Sequence, residues 1–164
     1  MNRGRLVPCI AIAWAVFVTT ALAQIPAKTN LPSAYQKWLD EDVVYIITPE
    51  ERTQYLQLST EKDRNQFIVQ FWENRNPVPG TPENTFKEEH YRRIAYSNVH
   101  FADSRPGWET DRGRVYIVYG PPNEIKDVAP LPYRAQIWRY DSGQEFRFVD
   151  ACECGRYELA RPKF

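Results

Sequence analysis

The chain is poor in glycine, histidine and sulfur, and it carries no net charge. Seven Gly against 13 Pro in 164 residues point to stiff, specific turns. Lys+Arg and Asp+Glu each total 21, so the basic surplus that drives generic nucleic-acid binding is missing. Three Cys cannot build a disulfide framework. The sequence contains no G-x-S-x-G, phosphate loop, dinucleotide fingerprint or zinc signature. No cofactor is therefore assigned, and there is no internal repeat or low-complexity tract. What is plentiful is aromatic surface: Trp 5, Tyr 10 and Phe 8. With 43% hydrophobic residues, the chain is too apolar to be disordered and long enough for one domain with a real core.

The one long apolar run lies at the start. Arg3 and Arg5 form a positive segment ahead of the mainly apolar residues 6–22, and Ala21-Leu22-Ala23 has the small-x-small pattern of a cleavage site. Residues 1–23 read as a signal peptide, with Gln24 as the new N-terminus. A lipoprotein would need Cys just after the run, whereas Cys9 lies near its beginning. Export to the periplasm or the exterior follows, with membrane contact only through this segment before cleavage. Removing Arg3 and Arg5 leaves two fewer basic than acidic side chains, and Cys152 and Cys154 become the only cysteines. A disulfide across one intervening residue is strained. The pair reads as two thiols, an incidental disulfide, a redox pair or half a metal site. Only His90 and His100 could complete a metal site, and no metal is assigned.

Residues 24–32 are a leader without periodicity, and 33–164 form a single domain. Its helical half, 33–102, starts with a helix over about 34–45, with Tyr35, Trp38, Leu39, Val43 and Ile46 at helical spacing. Thr48-Pro49-Glu50-Glu51 is a capping box with Pro at the first helical position. Thr60 caps a third helix, 61–74, with a Phe67, Ile68, Phe71 and Trp72 stripe. Thr81-Pro82-Glu83 starts a fourth, running to about 101. Its Glu83/Lys87, Glu88/Arg92 and Glu89/Arg93 pairs at i,i+4 read as a solvated face. The opposite stripe, Phe86, His90, Ile94, Ser97 and Phe101, turns His90 inward.

In the strand half, 103–164, residues 114–119 are β-branched and aromatic on both parities, as in a central strand. Residues 135–140, 145–149 and 156–160 read as further strands, with a hairpin turn at 141–144. The expected fold is α+β, with N-terminal helices followed by a small antiparallel sheet of about four strands.

Gly107-Trp108-Glu109-Thr110-Asp111, followed by Arg112 and the 113–122 segment ending Tyr119-Gly120-Pro121-Pro122, resembles the GWxTD domain family. Supporting features are Phe71-Trp72-Glu73-Asn74-Arg75-Asn76-Pro77, Thr81-Pro82-Glu83-Asn84, Ile137-Trp138-Arg139-Tyr140 and Phe148-Val149-Asp150. The likeness spans roughly 30–164. It implies a bacterial exported domain without an established biochemical activity. Two positions depart from the family pattern: Asn76, where an acid is expected, and Cys152-Glu153-Cys154, where small or polar residues are.

Without the family, the same run reads as a corner. Gly107 permits a tight bend, Trp108 inserts its ring under the sheet as a core anchor, and Thr110 and Asp111 accept backbone N–H groups. Arg112 and Arg114 are candidate partners of Asp111. A functional version leaves Trp108 partly exposed beside Asp111, Arg112 and Tyr116, a mix typical of interaction hot spots. The expected function is non-enzymatic binding of an envelope or secreted protein, or of a glycan, with no nucleic acid. The alternative is a hydrolase acting on an envelope polymer through Asp111, Arg112 and His100. Glu88 and Glu89 are adjacent on a helix and diverge, so they cannot flank one bond.

Overall fold

The computed structural model describes residues 31–129 and 133–160. The expected signal segment and nearly all of the leader lie outside the described residues. Helix α1 (Ser33–Lys37) runs on into a π-helical turn (Trp38–Asp42), where Val43 N–H donates to the Trp38 carbonyl at 3.1 Å. Helices α2 (Pro49–Gln57) and α3 (Glu61–Glu73) follow. The Thr48/Glu51 capping box forms in both directions, and Thr60 accepts from Asp63 N–H. Trp38, Leu39, Val43, Tyr55, Phe71 and Trp72 make a first core. Glu51 also takes a two-pronged bond from Arg75, at 2.9 and 2.7 Å, while the guanidinium lies 3.7 Å from the Phe71 ring centre. Burial resists the Glu51 charge, but Arg75 and the Thr48 N–H outweigh it and hold the carboxyl below its usual range.

Helix α4 (Thr85–His100) starts later than Thr81-Pro82-Glu83 suggested. The Thr81 hydroxyl is occupied by the Val78 and Glu83 carbonyls, and Asn84 caps instead, accepting from Lys87 N–H and donating to the Trp72 carbonyl. Asn76, buried, accepts from Val78 N–H and donates to the Thr81 carbonyl, and so shapes this loop.

After a single 3-10 turn (Gly107–Glu109) comes a helix, α5 (Asp111–Tyr119), where a central strand was expected. The reason is two-sided burial. Val115 packs into the sheet core, and Ile117 lines a cavity against α4. Apolar residues on both parities are then as compatible with a buried helix as with a buried strand. Strands β1 (Glu124–Val128), β2 (Arg134–Arg139), β3 (Glu145–Asp150) and β4 (Glu158–Leu159) form an antiparallel meander in sequence order. Trp138 pairs with Phe146, and Phe148 with Leu159. These side chains share the face that meets Phe101, Val115 and Tyr116, making a second core. The fold is α+β: helices mostly first, then a four-stranded antiparallel sheet. Edge strand β1 is charged and exposed, which guards it against pairing with another chain.

Candidate functional site

The 107–116 corner is built by close approach of backbones. A Cβ on Gly107 would overlap the Ser97 carbonyl of α4 and lie 2.7 Å from Asn98 Cα. A Cβ on Gly113 would overlap the Gly107 carbonyl. Neither position needs a left-handed backbone, so the Gly107 bend is an answer to crowding. Thr110 caps α5: its hydroxyl accepts from Gly113 N–H at 3.1 Å and donates to the Gly107 carbonyl at 2.8 Å.

Trp108 is half-buried, not sunk under the sheet. Its N–H donates to Asn98 Oδ1, its carbonyl accepts from the Tyr45 hydroxyl at 3.0 Å, and its ring faces that of Tyr45. Burial pushes the Tyr45 hydroxyl upward in pKa, opposed chiefly by Arg114. The indole fully buried beneath the sheet is Trp138. Asp111 is held at both oxygens: one accepts from Leu159 N–H of β4 at 2.7 Å, the other from Arg114 at 3.1 Å. Arg112 does not pair with Asp111. Its guanidinium sits between two rings, 4.2 Å from the Tyr157 centre and 5.2 Å from that of Phe101, and it donates to Gln136. Burial lowers its pKa, yet an arginine so placed stays charged at neutral pH.

Tyr116 stacks on Tyr96 with centroids 4.5 Å apart and planes 12° from parallel. Arg112 and Tyr116 thus share Phe101, while Trp108 turns to Tyr45 and Asp111 to β4. The corner ties α4, α5 and β4 together.

Beside Tyr116 a groove of ≈ 330 Å³ opens between α4 and the end of α5, lined by Glu89, Arg92, Arg93, Tyr96, Tyr116 and Pro121. The Arg92 side chain is 77% exposed and Tyr96 40%. Arg93 is half-buried: it pairs with Glu89 at 2.7 Å and donates to the Ile117 and Val118 carbonyls, capping α5. Its burial corrects the solvated-face reading of the Glu89/Arg93 pair, because α5 lies across it. Glu89 and Arg93 also bound a smaller cavity of ≈ 100 Å³ with Ile46, Phe86, His90, Ile117 and Val118. His90 Nε2 lies 2.6 Å from the Asp42 carbonyl and donates to it. Burial keeps this imidazole below its usual pKa, against that hydrogen bond.

His100 is exposed and stacks on Tyr96. The three groups of the hydrolase alternative have different partners: Asp111 is engaged by Leu159 and Arg114, Arg112 by Tyr157 and Phe101, and His100 by Tyr96. In the sequence Arg92 reads only as a charge of the solvated face and Tyr96 is passed over, although their i,i+4 spacing places a basic and an aromatic residue on one exposed face of α4. Past β3, Cys152 and Cys154 are joined by a disulfide beside the buried Asp150.

A family model described as the GWxTD domain matches residues 20–162. The chain belongs to the GWxTD domain family. No curated protein and no solved structure matches it. In this GWxTD domain the motif letters have separable tasks. Gly107 lets the 3-10 turn touch α4, Trp108 clasps Tyr45, Thr110 caps α5 and Asp111 anchors β4. Among the described residues no helix is long and apolar enough to cross a membrane.

Proposed function

We propose that this GWxTD domain is an exported, non-enzymatic binding module whose partner, an envelope or secreted protein or a glycan, seats in the α4–α5 groove beside the motif corner. One observation carries the reading: exposed Arg92 and Tyr96 flank Tyr116, which is already stacked and held by Phe101. Tyrosine and arginine dominate interaction hot spots, and a pre-stacked ring loses little freedom on binding. An arginine fork suits a carboxylate or a sugar hydroxyl, and the exposed edge of Tyr96, whose two faces are covered by Tyr116 and His100, offers its hydroxyl to the same groups. Of the four corner residues, Tyr116 would touch the partner, while Trp108, Asp111 and Arg112 hold the wall it stands on.

Export rests on Arg3, Arg5, the apolar run and Ala21-Leu22-Ala23. N-terminal sequencing of protein recovered outside the cytoplasm should begin at Gln24; an intact Met1 on a membrane-embedded product would refute cleavage. For binding, the tagged mature chain is used to recover partners from the envelope fraction. Arg92→Glu and Tyr96→Phe should each weaken the recovered complex by more than about 1 kcal/mol with little change in thermal unfolding, because Arg92 is exposed and Phe keeps the stack on Tyr116. Unchanged affinity in both variants, or turnover of an envelope polymer by the wild-type chain, would defeat the reading.

A further inference from the structure

The strand end after β3 carries a second chemistry, independent of the groove. Cys152 and Cys154 are both exposed and bonded to each other across Glu153. Glu153 takes φ +54°, a left-handed conformation that is unfavourable for a residue with a Cβ. The loop is held from beneath by Asp150, fully buried: Oδ1 accepts from Cys154 N–H at 3.1 Å and Oδ2 from Gly155 N–H at 2.9 Å. Cys152 Sγ lies 3.4 Å from Asp150 Oδ1, within reach of a thiol donor. A disulfide closing three residues removes far less unfolded-chain entropy than one closing a long loop, so this bond is poorly suited to be a staple. Exposed disulfides in constrained loops are the ones that exchange.

We propose that Cys152–Cys154 is a thiol–disulfide exchange centre whose substrate is a reduced polypeptide carrying two cysteines. A thiol on Cys152 has an acceptor in Asp150 Oδ1 at 3.4 Å, which favours Cys152 as the sulfur released and leaves Cys154 as the sulfur attacked. A substrate thiolate bonds to Cys154 Sγ, the Cys152–Cys154 bond breaks, and its electron pair leaves on Cys152 Sγ. That sulfur takes a proton and, as a thiol, donates to Asp150. The second substrate thiolate then attacks the first substrate sulfur, forming the substrate disulfide and releasing Cys154, which is protonated in turn. Two electrons and two protons pass from the substrate dithiol to the cysteine pair. A low-molecular-weight disulfide restores the bond by the reverse sequence.

The test uses the oxidised full chain and a synthetic peptide with two reduced cysteines. The expected result is conversion of the peptide to its disulfide at least about tenfold faster than by oxidised glutathione at equal concentration. Cys152→Ser and Cys154→Ser should each abolish the gain while melting as the wild type does. Acid quenching and mass mapping should find the transient peptide adduct on Cys154. The proposal is overturned if the pair stays bonded under excess peptide, or if the adduct forms on Cys152. It is also overturned if the reduced chain binds zinc through Asp150, Cys152 and Cys154 tightly enough to shield both thiols from maleimide.

Discussion

Replacing Gly107 with alanine probes the motif corner most sharply. The new methyl would overlap the Ser97 carbonyl and lie 2.7 Å from Asn98 Cα. Both obstacles are backbone in the last turn of α4, so no rotamer change relieves them. Overpacking usually costs about 1–3 kcal/mol, and an immovable neighbour puts Gly107→Ala at or above the top of that range. In a domain of this size about 3 kcal/mol corresponds to a drop of roughly 10 °C in Tm. Gly143 is the control: its φ is +90°, with open space around it. Gly143→Ala should therefore cost about 1 kcal/mol, from backbone strain alone. Thermal unfolding followed by circular dichroism measures both. If Gly107→Ala melted within about 1 °C of wild type, the argument from backbone crowding would fail.

Arg112→Ala should cost about 2 kcal/mol in chemical denaturation, since it removes a cation held between Phe101 and Tyr157 and empties a partly buried site. Trp108→Ala should destabilise less than Trp138→Ala, because Trp108 is half-buried while Trp138 is fully enclosed and its loss costs about 3–5 kcal/mol. Burial holds His90 below its ordinary value, so the unfolded chain binds that proton more readily. Stability then declines as pH falls below about 6.5. His90→Gln keeps a donor for the Asp42 carbonyl and should flatten Tm between about pH 7 and 5.5 relative to wild type. The Arg105 hydrogen bond holds the Asp103 carboxyl at about 2, so its contribution is present above the usual aspartate range and fades between about pH 4 and 2 in an acid titration of stability.

Local chemistry was legible in the sequence, whereas direction was not. The Thr48/Glu51 box and the Thr60 cap depend on side chains three residues from their targets, and both formed as read. The apolar residues picked out in the first and third helices all meet in one core. Helix α5 was hidden by its β-branched residues, whose weak helix propensity is outweighed by burial on two sides. The local signal lay in Thr110 and Gly113, spaced as a helix cap and its N–H donor. At the site, the motif residues stood out by type. Only the folded chain shows that Asp111 reaches Leu159, 48 positions away, and that Arg112 turns toward Tyr157 instead of solvent. The role of Asp150 was not legible, because nothing local marks a buried carboxylate that will accept N–H groups from the turn that follows.

On the proposed reading, the motif corner builds the domain and the α4–α5 groove binds the partner. The most direct test of this division is one paired measurement on Arg112→Ala and Arg92→Glu: thermal stability, and affinity for the partner recovered with the mature chain. Arg112→Ala should lose stability while binding normally well below its Tm, and Arg92→Glu, which gives up only an exposed pair with Glu89, should lose little stability but more than about 1 kcal/mol of affinity. The reverse pattern, with Arg112 governing affinity and Arg92 having no effect on it, would contradict the account.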